Sequence, residues 1–393
     1  MCEIVEEKRK VIAFVMGTMI VGGVEKALIN LLNNFDYNSF DVDLWVKKDS
    51  IGIKNQVDSH VQVKCWPTYN TKVLLKSQLK RGQIFQCLRG LLYRIVIHCS
   101  KSWEIESLFS AKLLPKIMSE YDCVVAYQYG VPELVATANR IESKKHVLFV
   151  HGNYNMPDIL MKLMEKEYFL YDRIICVSEA TKDQFSQKWP KLAQKTQVMK
   201  NLIDTEEIVQ LSKAYIPHFK GGRTILSVGR LAKEKGQTMV PQTTRLLLDA
   251  GYDVYWYLVG DGPLRETVEA EIQKYDVAEH VILLGTQTNP YPYIKNCDIY
   301  VQTSFSEGWC LTVQEARILQ KPIVTTPLPV MHEQIVSGEN GLIAGAATPE
   351  ALAESIQQLL DHPELRKKFV ENLSHEVCDN SGELQKLYDF IES

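Results

Sequence analysis

The 393-residue sequence predicts an α/β protein of two Rossmann-like, doubly wound domains facing a cleft, and three observations lead to it. Short continuous apolar runs alternate with segments of helical periodicity, as parallel strands covered on both faces require. The pattern pauses after residue 201 and restarts at residue 223. The chain is also too long for one typical hydrophobic core. The expected boundaries are residues 1–202 and 203–377, with a final helix over about 378–393 returning to the first domain.

The first strand is "KVIAFVMG" (Lys10 to Gly17), a run of the fully buried kind. A glycine-bearing loop, Thr18 to Gly23, leads to "VEKALINLLNNF", where Leu28, Leu31, Leu32 and Phe35 recur at helical spacing. "FDVDLWV", "YDCVVAY", "KHVLFVH" and "RIICVS" supply further strands. "NLIDTEEIVQLSKAYIPHFKGG" ends in turn residues and joins the halves between Asn201 and Lys220. In the second half the strands are "RTILSVGRL", "DVYWYLVGDGP", "HVILLG", "CDIYVQTS", "KPIVTTP" and "NGLIAG". Between them, "PLRETVEAEIQKY" and "TPEALAESIQQLLDH" read as helices, the latter with Thr348 at the N-cap and Pro349 at the first helical position. Ligands of such folds sit beyond the carboxyl ends of the strands, and a cleft between two such domains is the expected site.

Composition narrows the function classes. Apolar residues make up 46% and charged residues 23%, so the chain carries material for large cores and no bias toward disorder. A net charge of -4 gives no whole-protein attraction for nucleic acid. Nine scattered cysteines without a C-x-x-C pair fit a reducing cytoplasm. "VIAFVMGTMIVGGV" after "EEKRK" imitates a signal peptide but lacks a small-x-small cleavage site, and it is too short and glycine-rich to span a bilayer. A soluble protein is expected. Charge is uneven, however: from Ser59 to Trp103 there are eight Lys or Arg residues and no Asp or Glu, interleaved with large apolar residues. That pattern suits an anionic membrane surface or a lipid-phosphate acceptor, and equally a helix with a solvated basic face.

The motifs fall just after predicted strands. In "FSEGWCLTVQE", Glu307 and Glu315 stand eight positions apart. A glycosidase pair needs carboxyls within about 5–9.5 Å, whereas eight helical residues rise about 12 Å. A metal clamp would need more ligands than the isolated His332-Glu333 doublet offers. Holding a ligand remains, with the N–H groups of Gly308 to Leu311 as an anion cradle between the two acids; a turn glutamate and a capping glutamate are the plain alternative. "GRLAKEKG" sets Arg230 and Lys235 after a strand, able to neutralise a departing diphosphate, or else a solvated turn in which Arg230 alone is unusual. Gly22 and Gly23 before a helix permit close approach to an anion, although neither a Walker A nor a G-x-G-x-x-G pattern is present. "VGDGP" reads as a tight turn, and Asp41 and Asp43 of "DVD" as solvated strand positions rather than metal ligands. His151 ends a strand, in a structural or a functional role.

Together, "GGVEKALINLL", "FVHG", "ICVSEATKDQF", "KNLID", "LSVGRLAKEKG", "LVGDGPLRETVEAEI", the stretch from "VILLG" through "SFSEGWCLTVQEARILQKPIVTTPLP", and "ENGLIAG" resemble, in order and spacing, the group 1 family of retaining glycosyltransferases with the GT-B fold. The likeness runs from about Val11 to Leu373, is strongest after Arg223, and is greatest in kind to bacterial enzymes building surface glycans. It implies that Glu307 binds hydroxyls of the donor sugar and Glu315 the ribose. Arg230 and Lys235 would hold the diphosphate, with backbone at Gly22, Gly23, Gly229 and Gly308 through Trp309, Cys310 and Leu311 completing the donor site. His151 would touch the transferring sugar. Cys310 and Thr312 depart from the glycine and proline of the family's "EGFGLP". The implied function is metal-independent, retaining transfer, without a cofactor, from a nucleotide sugar, by family habit a UDP-sugar, to a glycan or lipid-linked acceptor. The expected place is the cytoplasm, peripheral to the inner face of the plasma membrane. A catalytically inactive nucleotide-sugar-binding subunit and a sugar epimerase of like fold are the other readings.

Overall fold

The structure is a computed structural model and describes residues 9–17, 22–47, 54–66, 84–99, 102–114, 116–152, 156–378 and 380–393. The chain divides into two compact units: Met1–Val177 with Thr181–Lys200 and Ser381–Ser393, and Ser178–Ala180 with Asn201–Asn380.

The first unit holds a seven-stranded sheet in the order β3-β2-β1-β4-β5-β6-β7. Its strands are β1 (Lys10–Val15), β2 (Phe40–Val46), β3 (Gln62–Cys65), β4 (Ile117–Ala126), β5 (Ile141–Val150), β6 (Arg173–Cys176) and β7 (Thr196–Val198). Every ladder is parallel. The apolar runs lie at its centre: Ile12 to Val15 and Cys123 to Ala126 are fully buried. The final helix, Glu383–Glu392, packs on this unit. Its Tyr388 ring stacks on Phe40 at 5.0 Å, its hydroxyl accepts the Asp36 N–H at 2.8 Å, and Lys145 Nζ donates to the carbonyl of Phe390 at 2.7 Å. Lysines at that end satisfy carbonyls that have no partner within the helix.

The second unit holds a six-stranded sheet in the order β10-β9-β8-β11-β12-β13. These are β8 (Arg223–Val228), β9 (Val254–Val259), β10 (Val281–Gly285), β11 (Ile299–Gln302), β12 (Ile323–Thr325) and β13 (Leu342–Ile343), again parallel throughout. Trp256 is fully buried, and its indole N–H donates to Ser227 Oγ at 3.0 Å, which in turn donates to the carbonyl of Val301 at 2.6 Å. One satisfied polar chain therefore ties β9, β8 and β11 inside the core. Thr348 caps the helix Pro349–Asp361, its hydroxyl accepting the Ala351 N–H at 3.3 Å.

Two strands escape a reading based on apolar runs, and both are sheet edges. β3 reads "QVKC" and β7 "TQV", where one neighbouring strand and water replace a second apolar face. β3 also changes the setting of Asp43, because it brings Lys64 beside it. Asp41 is half-exposed beside Arg9, but Asp43 is buried, held by Lys64 Nζ of β3 at 2.5 Å and by the Tyr121 hydroxyl. It is an internal ion pair, not a solvated position. Of the basic segment, residues 67–83, 100 and 101 lie outside the described residues, and the helix Ile84–Cys99 lies within them. No helix among the described residues is long and apolar enough to cross a membrane.

Candidate functional site

In the second sheet the chain order reverses between β8 and β11, since β9 and β10 lie on one side and β12 and β13 on the other. The loops leaving the carboxyl ends of those two strands therefore diverge and leave room for a ligand. The loop after β8 carries Gly229, Arg230 and a single 3₁₀ turn, Lys233–Lys235; the loop after β11 carries Thr303 to Cys310 and enters the helix Leu311–Ile318.

Hydrogen bonds hold the two loops to each other. Thr303 Oγ1 donates to the Lys235 carbonyl at 2.7 Å, and the Phe305 N–H donates to the Glu234 carbonyl at 2.8 Å. Gly236 makes the approach possible. Its φ is +66°, and a Cβ there would lie 2.1 Å from the Thr303 carbonyl oxygen. Gly236→Ala is expected to cost about 3 kcal/mol or more, combining left-handed strain with a backbone clash. A lowered denaturant midpoint together with lost nucleotide affinity would be the reading, and unchanged values would show that the loops part without consequence.

The approach produces one ion pair. Lys235 Nζ contacts both carboxylate oxygens of Glu307, at 2.7 and 2.9 Å, with the side chains 25% and 8% exposed. Burial acts to depress the Lys235 pKa, but the neighbouring groups, Glu307 foremost, outweigh it and the net shift is upward. The glutamate is itself fixed. Ser304 Oγ donates to its Oε1 at 2.6 Å, and Gln302 Nε2 donates to Ser304 Oγ at 2.7 Å. Gln302 Oε1 accepts from the Tyr300 hydroxyl at 2.8 Å and from Thr312 Oγ1 at 3.1 Å. Side chains that are mutually satisfied in this way rigidify one another. Nothing in the motif reading assigned roles to Tyr300, Gln302, Ser304 or Gly236. The available signal was a glutamine and a serine ending an otherwise apolar strand in "DIYVQTS".

The other candidates are placed as follows. Arg230 points to solvent, 66% exposed, and pairs with Glu234 at 2.7 Å. The structure thus inverts the plain reading of "GRLAKEKG": Lys235 is the enclosed cation and Arg230 the solvated one. At Gly229 a Cβ would meet nothing nearer than 3.4 Å, so sterics alone do not demand glycine there. Gly308, Trp309, Cys310 and Leu311 are buried, and Trp309 Nε1 donates to Gln314 Oε1 at 2.6 Å. Cys310 takes φ +66° immediately before the helix, a conformation glycine adopts without strain, and burial pushes its thiol up to about 12. It stays protonated and unreactive. Glu315 is 2% exposed in the second turn of that helix. In the first unit, Gly22 is the extended N-cap of the helix Gly23–Asn33, and both glycines are exposed.

His151 follows β5, its ring 4.7 Å from that of Tyr127 and stacked on Phe149 at 5.8 Å. Burial lowers its pKa to about 3, opposed by a hydrogen bond to the Tyr127 backbone. Nε2 is enclosed and meets no partner among the described residues. The backbone bond therefore falls to Nδ1, which carries the proton, and Nε2 is left an acceptor. Because the unfolded imidazole takes up a proton near 6.5 and the folded one only near 3, stability should rise with pH across that window. His151→Asn should flatten the slope by up to about 1 kcal/mol per pH unit in acid denaturation curves. An unchanged slope would mean that the folded imidazole is not held neutral.

Among the described residues, no group of three or more His, Cys, Asp or Glu side chains is arranged to hold a metal. Two all-parallel sheets, one with a charged pair at its switch point, define a doubly wound α/β protein whose ligand site is expected at that point. Residues 210–375 match the family model for glycosyl transferases group 1, and residues 21–207 match that for glycosyltransferase family 4. The chain belongs to the group 1 glycosyltransferases, with the GT-B fold. An uncharacterized glycosyltransferase of Methanocaldococcus jannaschii is 28% identical over 300 residues, covering 72% of this chain and 79% of its own. The N-acetylgalactosamine-N,N'-diacetylbacillosaminyl-diphospho-undecaprenol 4-alpha-N-acetylgalactosaminyltransferase of Campylobacter jejuni is 26% identical over 226 residues, 57% of this chain and 60% of that one. The crystal structure of Anabaena HepE in complex with UDP has a TM-score of 0.70 and 16% identity over 98% of this chain and 99% of that one, a likeness of fold.

Proposed function

We propose that the protein is a metal-independent, retaining glycosyltransferase that moves a sugar from a UDP-sugar to a hydroxyl of a lipid-linked or polysaccharide acceptor during assembly of a bacterial surface glycan. The observation that carries the chemistry is the enclosed Lys235–Glu307 pair at the switch point. Breaking the glycosyl bond puts negative charge on the diphosphate, and an ammonium held in a partly dry site stabilises it without a metal ion. Lys235 takes that role, and Arg230 joins it by leaving Glu234. Glu307, oriented by Ser304, accepts hydroxyls of the donor sugar. Glu315 accepts those of the ribose, and His151 Nε2 accepts a further hydroxyl of the sugar. Backbone at Gly22, Gly23, Gly229 and Gly308 to Leu311 lines the donor. The acceptor oxygen bonds to the anomeric carbon on the face the diphosphate leaves, and its proton passes to a phosphate oxygen, so no protein nucleophile is used. The diphospho-undecaprenol in the name of the Campylobacter relative supports a lipid-linked acceptor, and the UDP bound by HepE supports the donor. On this reading the protein works in the cytoplasm, peripheral to the membrane that holds its acceptor.

The test is a melting screen against UDP, GDP and ADP, followed by assay of UDP release. At a hundred times its Kd, a nucleotide stabilises its site by roughly 2.7 kcal/mol, a rise of several degrees. UDP should give the largest rise, and acceptor-dependent UDP release should survive EDTA. A silent screen would overturn donor binding, loss of turnover in EDTA would overturn metal independence, and donor isomerised without UDP release would indicate an epimerase.

A further inference from the structure

Gln302 closes β11 and is 3% exposed, with its amide set among four polar groups. A glutamine side chain offers two N–H donors and an oxygen with two lone pairs, and here all four find a partner. Nε2 donates to Ser304 Oγ at 2.7 Å and to Glu307 Oε1 at 3.3 Å, while Oε1 accepts from the Tyr300 hydroxyl at 2.8 Å and from Thr312 Oγ1 at 3.1 Å. The Glu307 carboxylate decides which way the amide faces, since the reversed amide would set two acceptor oxygens against each other at that 3.3 Å. The remaining proton positions follow. Ser304 Oγ accepts from the amide, so its single proton goes to Glu307 Oε1 at 2.6 Å. The serine backbone is pinned as well, its carbonyl accepting from the buried Thr326 hydroxyl.

We infer that Gln302 is the positioning residue that gives the two oxygens of Glu307 different tasks, Oε1 to the protein and Oε2 to a hydroxyl of the donor sugar. Oε1 meets Ser304, Lys235 and Gln302, at 2.6, 2.7 and 3.3 Å, which fills its lone pairs. Oε2 meets Lys235 alone among the described residues, at 2.9 Å, and keeps a lone pair for a ligand. The inference rests on the reading of Glu307 as the acceptor of sugar hydroxyls, and adds which oxygen accepts and what holds it in place. Thr312 belongs to the same device. It stands where the "EGFGLP" pattern has proline, and a proline could give Gln302 no proton. An enclosed amide oxygen without donors is costly, so Gln302 at the end of the strand and Thr312 in the first turn of the next helix depend on each other.

Calorimetric titration of UDP, UDP-glucose, UDP-galactose and UDP-N-acetylglucosamine into the full chain tests it. Gln302→Met fills the same space without polar atoms. It should bind UDP within about twofold of the wild type and bind the wild type's best UDP-sugar about tenfold more weakly, because only the sugar reaches Glu307. Gln302→Glu should share that loss at neutral pH, where a second carboxylate faces Glu307. It should regain affinity for the UDP-sugar as pH is lowered, since a protonated carboxyl again donates to Ser304. Without any ligand, the losses of urea midpoint in Gln302→Met and Glu307→Gln should fail to add in the double variant. Equal weakening toward UDP and UDP-sugar would show a merely structural glutamine and overturn the inference, as would no weakening toward either, or additive midpoints. A wild type that binds no UDP sinks the functional reading and the Oε2 assignment with it, while non-additive midpoints in the same protein would still uphold the grip of Gln302 on Glu307.

Discussion

Lys235→Met is expected to lower turnover by a factor of about 10²–10³, equivalent to roughly 3–4 kcal/mol of transition-state stabilisation. The ammonium is three-quarters enclosed and already oriented by two contacts to Glu307, so it meets developing phosphate charge with little reorganisation. Methionine fills the same volume without charge. It also leaves the Glu307 carboxylate enclosed with Ser304 and Gln302 as donors, so part of any stability loss belongs to the abandoned partner and not to catalysis. Melting without nucleotide measures that part, and kcat measures the rest. Arg230→Met is the internal comparison. Its exposed i,i+4 pair with Glu234 is worth only about 0.3–0.5 kcal/mol, so folding should be unaffected and any loss of rate reports phosphate contact alone. Near-normal kcat and KM in Lys235→Met would remove the lysine from the reaction.

How far the sequence could carry this site depends on the kind of residue. The buried central strands were plain in runs such as "VIAFV" and "TILSV", because a strand covered on both faces must be apolar at successive positions. β3 and β7 were not, since an edge strand can be polar and gain its stability from one neighbour. Glu307 and Lys235 were legible by their place after predicted strands, yet which cation would be enclosed was not. That depends on Gly236 passing under the Thr303 carbonyl, a contact across 67 positions of sequence. Tyr300, Gln302 and Ser304 read as strand and turn residues until the fold brings their polar groups into one line with Glu307. The protonation state of His151 likewise follows from Tyr127, just past the end of β4, and Phe149 of the adjacent β5.

Glu307→Gln should lower kcat/KM by about 10²–10³ at neutral pH and, unlike Lys235→Met, should add an alkaline limb to the profile. Burial pulls the Lys235 pKa down, and the neighbouring groups, Glu307 foremost with Glu234 adding to it, push it up and prevail. In the wild type the raised pKa contributes stability that is fully present below 10.5 and is lost only as pH climbs through the folded value, beyond the working range. Glutamine keeps an acceptor for Ser304 but turns a donor toward the ammonium and carries no charge. Burial then prevails, and the lysine pKa drops below 10.5. As pH rises through that lowered value the folded lysine gives up its proton before the unfolded one does, so the variant gains stability with pH. The charge needed at the departing diphosphate is lost over the same interval. Rate and stability should therefore move in opposite directions as pH rises from neutral toward 10.5, measured as kcat/KM and urea midpoint on one sample series. A merely structural Glu307 would let both fall together. A flat profile at near-normal rate would mean that the glutamate neither holds the sugar nor keeps Lys235 charged.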